Sequence, residues 1–239
     1  MKEITKFTNK KPKQELSYSY STSNPAPVTY QRKEGGIFVC NIFGYIEEPE
    51  QYEDLIAALE IMDESDEMII NLQSGGGSVP VTDMIVHALR KTKGHVHFVA
   101  TGQIASAATI LLLEAHSFEL SENFSALLHS GSLGEGGTLS EFRQAAPFHI
   151  KQMEKLIRNT YTGFLTEQEI EDMLDGKDLW LESSQWLERS EARNDWYKSE
   201  TQKITDAMNE QAEKESDKNY PIPVKKAPVK RKPKTTKEV

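Results

Sequence analysis

Four short segments of this 239-residue chain carry the side-chain types from which an acyl-transfer site can be built. INLQSGGGSV (70–79) sets a glycine cluster between an apolar strand pattern and a helical one, so that backbone N–H groups can face a cleft. A tight structural turn would use the same glycines. ATGQIASAATILLLEA (100–115) ends a strand, turns through small residues and starts an apolar helix at Ser106. Ser at a helix start is a favoured N-cap, and most such serines only cap. SALLHSGSLGEGG (125–137) leaves His129 between a strand and a glycine-rich loop, where α/β folds place functional groups. DGKDLWLESSQW (175–186) offers Asp175 and Asp178 around a Gly-Lys turn, a position in which Asp is commonly a turn-former. A hydroxyl, an imidazole and a carboxylate together are the parts of a nucleophile, its base and the group that orients the base.

Other reactive residues make weaker cases. Cys40 stands alone in an apolar run, cannot form an internal disulfide, and reads as a buried inert thiol. His95 and His97 share a strand face, but neither a Cys nor a helical His/Glu pair accompanies them, so no metal site is expected. His87, His116 and His149 fall within or just after helical patterns. The glycine cluster lacks the spacing of a phosphate-binding loop.

The elements that must hold these residues alternate in type. Strand patterns at 37–46, 68–73, 95–100, 125–129 and 178–182 are interleaved with helical ones at 50–62, 79–92, 106–115, 166–174 and 183–190. A loop is expected at 74–78, and Pro147 is expected to delay the helix after the glycine-rich loop until Phe148, from which it runs to about 163. Repeated β-α-β units with short connections imply an α/β fold with parallel strands and right-handed crossovers. The organisation reads as a disordered N-terminal segment (1–34), a folded domain (35–194), a polar helical extension (195–217) and a disordered Pro/Lys-rich tail (218–239).

Charge follows the same division. The chain carries 28 Lys/Arg against 37 Asp/Glu, yet residues 1–14 hold five Lys and one Glu, and residues 221–239 hold seven Lys/Arg and one Glu. The body is therefore strongly acidic, which argues against a folded nucleic-acid-binding surface. The basic ends read as solvated tails. The longest apolar stretch, AATILLLEA (107–115), is too short to span a bilayer, and no apolar segment follows the basic N-terminus as a secretory signal would require. A soluble, cytoplasmic protein is expected, without membrane or nucleic-acid partner.

Taken in order, the four segments resemble the proteolytic subunit of the Clp protease, within the wider crotonase-like fold. The family's I-N-S-P-G-G-S-V strand end is similar to INLQSGGGSV, its G-Q-A-A-S-M-G-A nucleophile motif to GQIASAAT (102–109), its M-I-H-Q-P segment to LLHSG (127–131), and its R-D-x-F-x-S segment to KDLWLES (177–183). The match runs over about 37–195. The resemblance implies Ser106 as nucleophile, His129 as general base and Asp178 as the orienting acid, preferred over Asp175, with the backbone N–H groups of Gly77 and Ala107 as the oxyanion hole. It implies no metal, no organic cofactor, a protein or peptide substrate, and a homo-oligomeric ring built through the helix at about 148–163. The chain departs from the family at four places. The Pro of the first motif is missing, and its loop has one extra residue. Ala107 replaces a bulky residue, and Gly131 replaces the Pro after the His.

The GKDLW segment and the basic tail also resemble the ClpP-like proteases of tailed phages, which cut scaffold and capsid proteins during prohead maturation in the host cytoplasm or the assembling virion. The N-terminal segment lacks any likeness to the family's axial loops, so an ATP-driven unfoldase partner is not implied. Three alternatives remain at this point. The first is a catalytically inactive ClpP-like structural or interaction protein. The second is a crotonase-fold acyl-CoA enzyme, which needs carboxylates near a thioester. The third is a membrane Ser-Lys peptidase.

Overall fold

The computed structural model describes residues 28–33, 35–132 and 138–218. The expectations for the two tails, 1–27 and 219–239, and for the glycine-rich loop at 133–137 lie outside the described residues.

Two sheets organise the fold. The larger has the order β1-β2-β3-β4-β6, formed by Val28–Lys33, Gly35–Ile46, Glu67–Gly77, His95–Ala100 and Ser117–Leu120. Strands β2, β3, β4 and β6 run parallel, and β1 pairs antiparallel with β2 at the edge. The smaller sheet has the order β5-β7-β8, formed by Gln103–Ala105, Ser125–Leu128 and Leu179–Glu182; β5 and β7 are parallel, and β7 and β8 antiparallel. The expected α/β class with a parallel sheet is what the chain forms.

The inward face of the larger sheet is read directly from period-2 alternation. Phe38, Cys40 and Ile42 of β2, Met68, Ile70 and Leu72 of β3, and Val96, Phe98 and Ala100 of β4 are all buried in one cluster. Leu55 and Leu59 of α1 (Glu53–Ile61), Ile85 and Leu89 of α2 (Val79–Lys91), and Leu111 and Leu112 of α3 (Ala107–Leu113) join that cluster. Ser78 caps α2, accepting from the Val81 N–H at 3.4 Å. Trp186, fully buried, packs against Phe124 and Phe164 and ties α6 (Ser183–Lys218) to the smaller sheet.

Three sequence expectations change. The glycines at 75–77 do not leave the sheet: β3 continues through Gly77, with a register shift opposite Gly44/Tyr45 that absorbs the additional residue. Pro147 does not delay its helix. α4 runs Leu139–Tyr161 with Pro147 inside, because a capping box of Thr138 and Glu141 already starts it upstream, and Pro147 lies on an exposed stretch where a lost backbone bond is open to water. Val28–Lys33, assigned by composition to the N-terminal segment, pairs as a strand. The chain divides into a compact unit ending at Asn194 and a second from Asp195. The described part of the second is helical and largely exposed, with Lys198–Asp195 and Lys203–Glu200 ion pairs.

Candidate active site

Ser106 sits at a sharp turn between β5 and α3. Its backbone has φ 55° and ψ −129°, the sole positive φ of a non-glycine among the described residues. Such a conformation costs on the order of 1–3 kcal/mol and survives only where the surroundings enforce it. Here they do. The Ser106 N–H donates to the Leu127 carbonyl at 2.8 Å, continuing the β5–β7 ladder, and its carbonyl accepts from the Thr109 N–H at 2.9 Å and the Thr109 hydroxyl at 2.6 Å. The side chain makes no capping hydrogen bond, so the ordinary role of a helix-start serine is not the one it fills. Strand, strained serine and helix together form the geometry of a nucleophile elbow.

The glycine ribbon of β3 lies against this turn. A Cβ on Gly76 would come within 2.6 Å of the Ala105 carbonyl oxygen and of the Ser106 Cβ, and within 2.8 Å of the Ala107 nitrogen. Only a hydrogen fits there. The Gly76 N–H donates to the buried Ser74 hydroxyl at 3.1 Å. Gly77, the glycine the sequence singles out, is pressed against the Ile46 backbone of β2. Ala107 is buried and its N–H is the first of α3, one of the helix-start donors without an intrahelical acceptor.

His129 and Asp178 flank the same end of the smaller sheet. His129 follows β7 and Asp178 precedes β8, and the antiparallel register pairs Leu128 with Leu179. One further step of that register sets His129 opposite Asp178. Directly opposed residues share a sheet face with their Cβ atoms about 4.5–5.5 Å apart. That face is the one of Leu127 and Trp180, away from the buried pair Ala126 and Leu181. β5, β7 and β8 are adjacent, so Ser106, His129 and Asp178 stand at one rim in that order, with the imidazole on the central strand. Among the described residues no hydrogen bond joins the three side chains. His129 is half-buried and Asp178 exposed. Asp175 caps the C-terminus of α5 (Glu167–Leu174) and is separated from the ladder by Gly176 and Lys177.

The remaining candidates take other positions. Burial pushes the Cys40 thiol up to about 12, which removes it as a nucleophile near neutrality. His95 Nε2 and His97 Nδ1 both reach the Ser117 hydroxyl, at 2.7 and 2.8 Å, and His116 Nδ1 accepts the Val96 N–H at 2.9 Å. His116 is thus a structural acceptor between β4 and β6, and burial, with His95 nearby, holds its pKa down. Among the described residues no group of three or more His, Cys, Asp or Glu side chains is placed to hold a metal ion. No described helix is long and apolar enough to cross a membrane.

Sequence reasoning missed Gly76, Ser74, Thr109 and Tyr161. The run of three glycines signalled a ribbon without indicating which glycine meets the serine. Thr109 and Tyr161 left no signal, being 52 positions apart.

A parallel sheet with a strained serine elbow under a glycine ribbon defines a hydrolase-like α/β architecture. Residues 36–195 match the family described as Clp protease, which is more than half of the chain, and the chain belongs to that family of serine proteases. Among solved structures it is similar to a point mutant of ClpP1 from Listeria monocytogenes, with 25% sequence identity and a TM-score of 0.52, over 64% of this chain and 86% of that one. No curated protein matches.

Proposed function

We propose that the chain is a serine endopeptidase working through Ser106, His129 and Asp178. The observation that carries this reading is the convergence of β5, β7 and β8 on one rim, with the imidazole-bearing strand between the other two. Ser106 Oγ attacks the scissile carbonyl while His129 takes its proton. Asp178 accepts from the other ring nitrogen and stabilises the imidazolium. The oxyanion is received by the N–H groups of Gly77 and Ala107. That assignment is supported by the Gly76 N–H being already committed to Ser74. His129 then delivers the proton to the departing amine. Water, deprotonated by His129, hydrolyses the acyl-enzyme and restores the Ser106 hydroxyl. No step calls for a metal or organic cofactor.

The polypeptide substrate is the class the family acts on. By its likeness to the phage head proteases, we assign a scaffold or capsid protein as the natural target, cut in the host cytoplasm or the assembling virion. The same family likeness supports a homo-oligomeric ring contacting through α4, whose first half exposes Leu139, Phe142, Phe148 and Ile150.

An alkyl fluorophosphonate tests the chemistry, because only an activated serine displaces its fluoride. The expected result is a single adduct at Ser106, located by mass spectrometry, and no labelling of Ser106→Ala or His129→Ala. A folded, oligomeric wild-type protein that takes no label would overturn the catalytic assignment in favour of a non-catalytic ClpP-like protein.

A further inference from the structure

We propose that Tyr161 is a positioning residue for the oxyanion hole, acting through Thr109 on the Ser106–Ala107 peptide. The inference rests on the reading of Ser106 as the nucleophile.

The geometry is a directed chain of hydrogen bonds. Thr109 Oγ1 lies 2.6 Å from the Ser106 carbonyl oxygen, which can only accept, so the single hydroxyl proton of Thr109 is committed there. The Tyr161 hydroxyl lies 2.7 Å from the same Thr109 oxygen and must therefore donate to it. Thr109 is fully buried and Tyr161 nearly so, so water does not compete for either group. Burial also pushes the phenol up to about 12, so the donor keeps its proton across the working range.

A threonine bonding the carbonyl of the previous turn, and a buried tyrosine finding a partner, are each common by themselves. What sets this pair apart is the peptide they hold. The Ser106–Ala107 peptide is planar, so the direction of the Ser106 carbonyl dictates the opposite direction of the Ala107 N–H. Ser106 is also the residue whose φ of 55° has to be enforced from outside. Fixing that carbonyl aims the Ala107 N–H before substrate arrives. Preorganised donors of this kind act on the transition state rather than on ground-state binding.

The test separates kinact from KI for an alkyl fluorophosphonate, alongside melting temperature. Tyr161→Phe keeps the ring and loses the donor; Thr109→Val keeps the shape and loses the hydroxyl; Thr109→Ser keeps the hydroxyl. Removing an oxyanion donor outright costs about 100- to 1,000-fold, and loosening one should cost roughly tenfold. Tyr161→Phe and Thr109→Val should each lower kinact roughly tenfold with KI unchanged, the double variant should be no worse than either, and Thr109→Ser should match the wild type. Should Tyr161→Phe fail to fold, the Thr109 pair decides alone. Wild-type kinact in Tyr161→Phe and Thr109→Val, or equal losses in Thr109→Ser and Thr109→Val, would overturn the inference while leaving Ser106 as nucleophile. Absence of wild-type labelling would remove both.

Discussion

The two halves of the site are built differently. Around Ser106 the backbone is held on both sides: the N–H by Leu127, the carbonyl by Thr109, the glycine opposite by Ser74, and the hydroxyl of Thr109 by Tyr161. Around His129 and Asp178 no side-chain hydrogen bond to a described residue exists, and the carboxylate is exposed. The strained half needs many contacts because its backbone would otherwise relax. In the proposed triad the His129–Asp178 half needs only two strand ends in register, and catalytic hydrogen bonds often tighten only when substrate is bound. The fold thus concentrates its contacts on the Ser106 turn and leaves the side chains of His129 and Asp178 without a described hydrogen-bond partner.

The sharpest way to break that contrast is at the carboxylate. If Asp178 orients His129, Asp178→Asn should lower the fluorophosphonate labelling rate by about 10⁴, as expected when a triad imidazole is held in the wrong tautomer. Asp175→Asn, beyond the end of the ladder, should change it less than about twofold. Equal effects from the two variants would show that the register argument picked the wrong carboxylate.

Beside Ser106, two glycines of equal φ, Gly76 in β3 and Gly176 in a turn, give a useful comparison. Gly76 and Gly176 both have φ 89°, but a Cβ on Gly76 meets backbone at 2.6 Å whereas one on Gly176 meets nothing within 4 Å. Gly176→Ala therefore reports left-handed strain alone, about 1 kcal/mol. Gly76→Ala adds displacement of the Ser106 turn, and a shift of an ångström there should lower labelling by roughly 100-fold. Similar labelling rates in the two variants would mean that the ribbon does not set the elbow.

The same division explains what was legible in the sequence. Strand and helix types along 37–129 follow from apolar period and length, since Ile70, Leu72 and Phe98 alternate inward as a half-covered parallel sheet requires. The short strands β5 and β6 were not legible, because three or four residues carry no period. The glycine ribbon reads as a loop by composition and is a strand because β3 keeps its pairing with β2 by bulging out Gly75. Pro147 reads as a break because interior proline is costly, and the capping box at Thr138 outweighs it. Ser106, His129 and Asp178 stood out in the sequence only jointly, through four ordered segments that resemble the family's motifs. The approach of Gly76 to the Ser106 turn and the Tyr161–Thr109 bond join segments far apart in the chain and could not be read from it.

A smaller effect tests what holds the acid–base half in place. Arg189 of α6 donates two hydrogen bonds to Glu169 of α5, at 2.7 and 2.8 Å, just upstream of the turn that delivers Asp178 to β8. Arg189 is the main cause holding the Glu169 carboxyl down at about 2, with the Thr166 cap adding to it. A carboxylate whose pKa is lower in the folded state stabilises the fold above its unfolded value. That contribution disappears as pH falls through the folded value, here between about 4.5 and about 2. Glu169→Gln keeps an oxygen for the capping box, which accepts Gln, and removes the charge together with one of the two bonds from Arg189. It should cost about 1–2 kcal/mol at pH 7, because the pair is bidentate but partly exposed. In urea unfolding the gap between wild type and variant should narrow steadily below pH 4.5 and close near pH 2. A gap independent of pH would mean that the ionised pair contributes nothing, and that strand pairing and the Trp186 core alone place Asp178 beside His129.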